Sequence, residues 1–373
     1  MGSDFFQSFL GLVATLLTII VATASIYLFI QRRRPSPGVD PNEAEIDVEG
    51  SDSTASLVDI GWLMAGRANS AEAEQLFRRA LAIREPIDGP DHPNTATPLL
   101  GLAWSLRQQG KYAQAEPLIR RAVAIREKAL GTEHPLTADA LQNLGWLMRE
   151  RGRYAEAEQL FRRALAIREP IDGPDHPNIA AVLQGLSASL RLQGQHTGAE
   201  PLIRRAVTIR EKALGTEHPV TAGALQELGW VEEEAGNSAH AESIFRRALA
   251  IREQTDGPDH PNTASALYGL GRSLRALGKL SEARVHVERA LAIREQTLGT
   301  DHPLTATILE ELARGMTGPA GHQEKLSLIE RVFRIRLRSL GASHPDTKKI
   351  QDEFGEQLPS IKSTAEIGGL HDV

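Results

Sequence analysis

Residues 134–175 read HPLTADALQNLGWLMRERGRYAEAEQLFRRALAIREPIDGPD, and the two halves of this stretch decide the fold. In the first half Leu141, Leu144 and Met148 recur at helical spacing, and in the second Ala157, Leu160, Phe161, Ala164, Leu165 and Ile167 do the same. Each half therefore reads as an amphipathic helix with one apolar stripe. Gly152 interrupts the pattern between them, which predicts a tight turn joining the two helices. The His-Pro pair that opens the stretch recurs at His92-Pro93, His134-Pro135, His176-Pro177, His218-Pro219, His260-Pro261, His302-Pro303 and His344-Pro345, always 42 residues apart. The unit is thus a helical hairpin repeated seven times, with residues 57–340 as the array and residues 341–358 as a capping helix that begins another unit without completing it.

One hairpin cannot bury its own apolar stripe, so each unit depends on its neighbours. The small residues show how close the helices must come. Ala157 has counterparts at Ala73, Ala115, Ala199, Ala241 and Ala283, and Ala164 at Ala80, Ala122, Ala206, Ala248 and Ala290. Phe77, Phe161 and Phe245, alternating with Ile119 and Ile203, are placed to fill the space between hairpins. In the joint GTEHPLTA, Gly131 ends one helix and Pro135 sits early in the next, where its missing N–H costs nothing. His134 reads as a turn residue hydrogen-bonding to the preceding hairpin, since one histidine per unit cannot by itself assemble a metal or catalytic site.

A longer period overlies the first. The joints alternate between DGPDHPN and LGTEHPL or LGTDHPL forms, and residues 71–94 and 155–178 are the same 24-residue string. The array therefore resembles a duplicated pair of hairpins with a superrepeat of 84 residues.

The pattern of Leu144-Gly145, Gly152, Tyr154, Ala157, Phe161 and Ala164, with the joint Gly131 and His134-Pro135 and the RRALAIRE helix at 162–169, resembles the tetratricopeptide repeat. Its 42-residue length resembles the repeats of kinesin light chains. The resemblance covers roughly residues 55–358. It implies an all-α, right-handed superhelical solenoid of antiparallel helix pairs, with the first helix of each pair lining a concave peptide-binding surface. The asparagine that kinesin light chains carry in this helix is matched by Asn143, whereas Asp59, Gly101, Gly185, Glu227, Gly269 and Glu311 stand in the other units.

All four tryptophans, Trp62, Trp104, Trp146 and Trp230, occupy one position of the first helix, with Ala188, Arg272 and Arg314 in the remaining units. One turn further lie Arg107, Arg149, Arg191 and Arg275, with Ala65, Glu233 and Thr317 as departures. Rings beside guanidinium groups suit an extended peptide with bulky and acidic side chains. The candidate groove is therefore Trp62, Trp104, Arg107, Asn143, Trp146, Arg149, Arg191, Trp230 and Arg275. At this point two placements are open for the tryptophans, in the groove or wedged between hairpins. The function expected is a protein-binding scaffold or adaptor, with a self-assembling structural module as the alternative.

Other classes are disfavoured. The chain of 373 residues has no cysteine, which excludes disulfides, thiol catalysis and cysteine-ligated zinc. No phosphate-binding loop, HExxH or GxSxG motif occurs, so no catalytic residue, metal or cofactor is expected. A net charge of −6 argues against a nucleic-acid partner. The Arg-Arg pairs, such as Arg78-Arg79 and Arg162-Arg163, follow Glu74 and Glu158 by four residues and read as a salt-bridged surface.

The N-terminus is of another kind. Residues 5–30 carry no charge, and residues 9–30 span about 33 Å as a helix, enough to cross a bilayer core. Residues 5–31 read as a transmembrane signal-anchor. Arg32, Arg33 and Arg34 follow, which favours a single-pass protein with its repeats facing the cytoplasm. The acidic stretch to residue 56 reads as a disordered tether, and residues 359–373 as a disordered tail.

Overall fold

The computed structural model describes residues 50–66, 69–316 and 321–357. The expected membrane span at 5–31, most of the tether and the tail at 359–373 lie outside the described residues. Among the described residues no helix is long and apolar enough to cross a membrane.

The described residues are all-α, with fifteen helices. α1 (Gly50–Gly66) pairs with α2 (Ser70–Asp88), α3 (Pro93–Gln108) with α4 (Tyr112–Leu130), and α5 (Pro135–Glu150) with α6 (Tyr154–Asp172). α7 (Pro177–Leu192) pairs with α8 (His196–Leu214), α9 (Pro219–Glu234) with α10 (Ser238–Thr255), and α11 (Pro261–Ala276) with α12 (Leu280–Leu298). α13 (Pro303–Gly315) and α14 (His322–Leu340) form the seventh hairpin, and α15 (Pro345–Phe354) follows it. α1 starts upstream of the end expected for the tether. Thr54 is buried and Val58 and Met64 pack on the core, so the helix acquires its buried face before the acidic composition has run out.

From α2 to α15 each helix packs on the next, α1 meets α2 through Trp62 and Gly61 on Phe77, and the odd-numbered helices from α3 to α13 also pack on one another in succession. Among the described residues no comparable packing joins the even-numbered helices. The odd helices are therefore the inner layer of the solenoid and the even helices the outer layer.

Phe77, Phe161 and Phe245 are fully buried and set the distance between layers. Phe161 lies against two glycines: a methyl group at Gly145 would sit 2.9 Å from its ring, and one at Gly185 of the next unit would overlap it outright. The same pairs recur as Gly61 and Gly101 around Phe77, and Gly229 and Gly269 around Phe245. The glycines that replace the kinesin-light-chain asparagine in even units thus make room for a ring from the unit before.

The joints repeat one hydrogen-bond scheme. His134 Nδ1 accepts the Leu136 N–H at 3.1 Å, capping α5, and the six other joint histidines cap their helices in the same way. The bond runs forward into the helix that follows, rather than back to the preceding hairpin as expected. Because Pro135 at the first helical position has no N–H to satisfy, the second residue's N–H is the one left to cap. Thr137 Oγ1 donates back to the Gly131 carbonyl at 2.9 Å, and Gly131 has φ +95°, a conformation that favours glycine.

On the outer layer, the arginine at the second position of the Arg-Arg pair, which follows Glu288 and Glu330 in the last two units, reaches the glutamate of the preceding unit's IRE sequence. Arg121–Glu85, Arg163–Glu127, Arg205–Glu169, Arg247–Glu211, Arg289–Glu253 and Arg331–Glu295 all lie between 2.6 and 2.9 Å. Each such exposed pair contributes little, about 0–1 kcal/mol, but the series fixes the same stagger at every interface.

The array also contacts itself across 194 residues. His302 Nε2 lies 3.1 Å from the Gln108 carbonyl, and Pro303 packs on Gly110. One unit further along, His344 Nε2 lies 3.1 Å from the Glu150 carbonyl and Pro345 packs on Gly152. The seventh hairpin and α15 thus close over the ends of α3 and α5, and the inner layer surrounds a lumen.

Candidate partner-binding lumen

The inner layer presents side chains from the last turns of the odd helices together with Ser265, Leu304, Thr307, Pro345 and Asp346 from their first two turns, and Tyr112, Tyr154, Arg294 and Arg336 of the even helices lie beside them. Two cavities lie there, of about 740 Å³ and about 340 Å³. Both are lined by Trp230, Tyr268 and Thr307, so these residues form the wall between them.

Trp230 packs edge-on against Phe245, with ring centres 4.8 Å apart, and leans on Tyr268 at 5.1 Å. Arg272 lies 5.5 Å from the Trp230 ring centre. Trp146 and Trp62 meet Phe161 and Phe77 of their own hairpins in the same edge-on way, each at 5.2 Å. Trp104 packs on the core and lies 6.2 Å from Trp62, which is 38% exposed. Trp62, Trp146 and Trp230 thus join the core of their own hairpins, and Trp230 alone among the four also lines the two cavities. Such ring pairs contribute about 0.5–1.5 kcal/mol beyond area burial.

The arginines one turn on differ in how far they are committed. Arg191 is buried and donates to Glu227 at 2.8 Å and Glu234 at 2.7 Å. Burial works against its charge, but the two carboxylates more than offset this and hold its pKa above the usual guanidinium value. Arg275 is paired with Glu311. Arg149 lies 4.8 Å from the Trp146 ring centre and 3.6 Å from Glu150, and Arg107 lies 3.7 Å from the other oxygen of Glu150. Asn143 donates to the Asp139 carbonyl of its own helix at 2.8 Å.

Of the nine residues read from the sequence, Arg191, Trp230 and Arg275 line the larger cavity, and Arg107, Arg149 and Trp230 the smaller. Trp62, Trp104, Asn143 and Trp146 line neither. The residues that sequence reasoning missed are Tyr112, Tyr154, Tyr268, Arg272 and Arg294. Tyr112 and Tyr154 open even helices and Arg294 sits in the RRALAIRE-type segment, positions that repeat in every unit and carry no local mark of the lumen. Burial raises the Tyr268 and Tyr154 pKa values to about 12, so both remain hydroxyl groups able to donate. Arg272 was visible as the sixth unit's substitute for tryptophan, which is the one signal available.

Among the described residues no cluster of three or more histidine or acidic side chains is arranged to hold a metal ion. The lumen offers aromatic faces, fixed carboxylates and guanidinium groups, which is the chemistry of recognition.

The sequence pattern of the Tetratricopeptide repeat family matches residues 54–128, 105–170, 151–212, 178–254 and 241–296. The chain belongs to the tetratricopeptide repeat family. Among solved structures it is similar to a Rap protein complexed with competence and sporulation factor, at 13% identity and a TM-score of 0.59 over 85% of this chain and 91% of that one. It is also similar to the apo form of RapI, at 17% identity and a TM-score of 0.52 over 78% of this chain and 97% of that one. Further similarity is to BtubC (BKLC) from P. vanneervenii, at 23% identity and a TM-score of 0.46 over 68% of this chain and 94% of that one. No curated protein matches the chain in sequence.

Proposed function

We propose that the chain is a membrane-tethered adaptor that takes a peptide segment of a partner protein into the lumen of its repeat array. Tetratricopeptide repeats commonly mediate protein–protein contacts, and a Rap protein of the same fold is complexed with the competence and sporulation factor. The observation that carries the reading is the wall formed by Trp230 and Tyr268, where two rings and Arg272 meet between two cavities. A peptide with a bulky residue would place it against these rings and its acidic residues toward the guanidinium groups on either side. In this reading residues 5–31 anchor the chain, Arg32, Arg33 and Arg34 hold the repeats on the cytoplasmic side, and no catalytic step is involved.

The test is a peptide-display selection against the full chain, with the selected peptides titrated into Trp230→Leu and Arg272→Gln variants. Binding weakened by about tenfold or more, with the melting temperature within a few degrees of the parent, supports the lumen as the site. Undiminished binding in both variants overturns it.

A further inference from the structure

We propose that the smaller compartment of the lumen is a binding site for a doubly negative oxyanion, a phosphate or a dicarboxylate, and that Arg294 is its principal donor. This site needs no polypeptide and so goes beyond the adaptor reading.

Three guanidinium groups line the compartment, from Arg107 on α3, Arg149 on α5 and Arg294 on α12, and Glu150 is the one carboxylate among its lining residues. Three positive charges face one negative charge, a surplus of two. Glu150 does not discharge even its share: it stands 3.7 Å from Arg107 and 3.6 Å from Arg149, outside hydrogen-bonding distance. Glu150 Oε2 and Arg149 Nε are both buried without a hydrogen-bond partner.

Arg294 is the most exceptional of the three. It is only 8% exposed, one of its amino groups donates to Ser265 Oγ, and its Nε has no partner. Among the described residues no carboxylate lies within ion-pair distance of it. The equivalent Arg168 and Arg252 pair with Asp172 and Asp256 four residues on, and Arg336 pairs with Glu310. In α12, as in α4 and α8, the fourth residue on is a leucine, but Arg126 and Arg210 there donate to the Leu136 and Val220 carbonyls, whereas among the described residues Arg294 has no such bond. Burial lowers the Arg294 pKa to about 10, which leaves it charged at neutral pH. A buried guanidinium with an idle N–H is costly unless an acceptor arrives, and a planar or tetrahedral oxyanion matches its fork. The larger cavity differs, since its six cationic residues face five carboxylates.

The volume of about 340 Å³ suits a small organic anion, and the contact of His302 with Gln108 closes the compartment on one side. Charge surplus, an unpaired buried donor and enclosure coincide at this place.

The experiment titrates the full chain, purified in a non-ionic detergent, with inorganic phosphate and separately with succinate, and follows the melting temperature against sodium chloride of matched ionic strength. A saturable rise beyond the chloride control is expected. A response to phosphate alone identifies a phosphoryl ligand, one to succinate alone a dicarboxylate, and both together the shared oxyanion. The response should weaken about tenfold or vanish in Arg294→Gln, weaken in Arg294→Lys, and persist in Arg205→Gln, whose side chain pairs with Glu169 on the outer layer. Arg294→Lys keeps the buried charge and removes the fork, so it carries the test if Arg294→Gln fails to fold. Absence of a saturable shift with either anion, or an unchanged shift in the Arg294 variants that fold, overturns the proposal. Peptide binding that persists in that case leaves the adaptor reading standing.

Discussion

Phe161 shows how single residues set the spacing of the array. Its ring is fully buried, and two glycines from successive inner helices, Gly145 and Gly185, leave the space it occupies. Gly185→Ala puts a methyl group into the ring and should cost about 1–3 kcal/mol through overpacking. Phe161→Leu removes volume at the same point, so the double variant should be more stable than the two single losses added together predict, by about 0.5–3 kcal/mol. Chemical denaturation of the four proteins measures this. Strict additivity would show that the ring and the glycine do not share one packing site. The sequence displayed both residues, but the partnership was hidden: the phenylalanine and Gly185 belong to different units, and glycine at that position read as the loss of an asparagine.

At the scale of the element, the joint is a helix start built from histidine, proline and threonine. His302 and His344 differ from the other five in making a second bond. Their Nδ1 atoms accept the capping N–H while Nε2 reaches a carbonyl 194 residues away, so each ring is in its neutral tautomer with the proton on Nε2. Burial lowers the His302 pKa to about 4, with Arg294 acting in the same direction and the Gln108 carbonyl opposing. Burial also lowers that of His344, against Asp346 and the Glu150 carbonyl and with Arg336 and Arg151. A depressed histidine pKa means the closed array binds fewer protons than the open one. The closing contribution is therefore complete above pH 6.5 and is lost as pH falls from there through about 4. Small-angle scattering should show the radius of gyration growing over that range. The His302→Asn/His344→Asn variant keeps a capping side chain but shortens its reach, and should be expanded already at pH 7 with little further change. An acid expansion of equal size in parent and variant would assign the effect to other groups.

For the whole molecule, the hairpins and their number follow from the 42-residue period and its small residues, and the inner position of the first helices is what the resemblance to tetratricopeptide repeats implied. Closure of the lumen does not. It depends on a small rotation at each interface accumulated over five units, and no local pattern in residues 92–110 marks them as the seat for residues 302–303. The same holds for the binding residues. The Trp and Arg stripes pointed to the inner layer, yet only where the array folds back on itself are Arg107 and Arg149 of the second and third units gathered with Trp230, Tyr268 and Arg294 of the fifth and sixth.

That gathering allows a direct measurement, because the four tryptophans are all in inner helices and only Trp230 lies between the two cavities. In a variant carrying Trp62→Phe, Trp104→Phe and Trp146→Phe, emission comes from Trp230 alone. If partners are held in the lumen, a selected peptide should shift or quench that emission saturably, with the same midpoint as its binding isotherm. A peptide that binds with full affinity and leaves Trp230 emission unchanged would contradict the account.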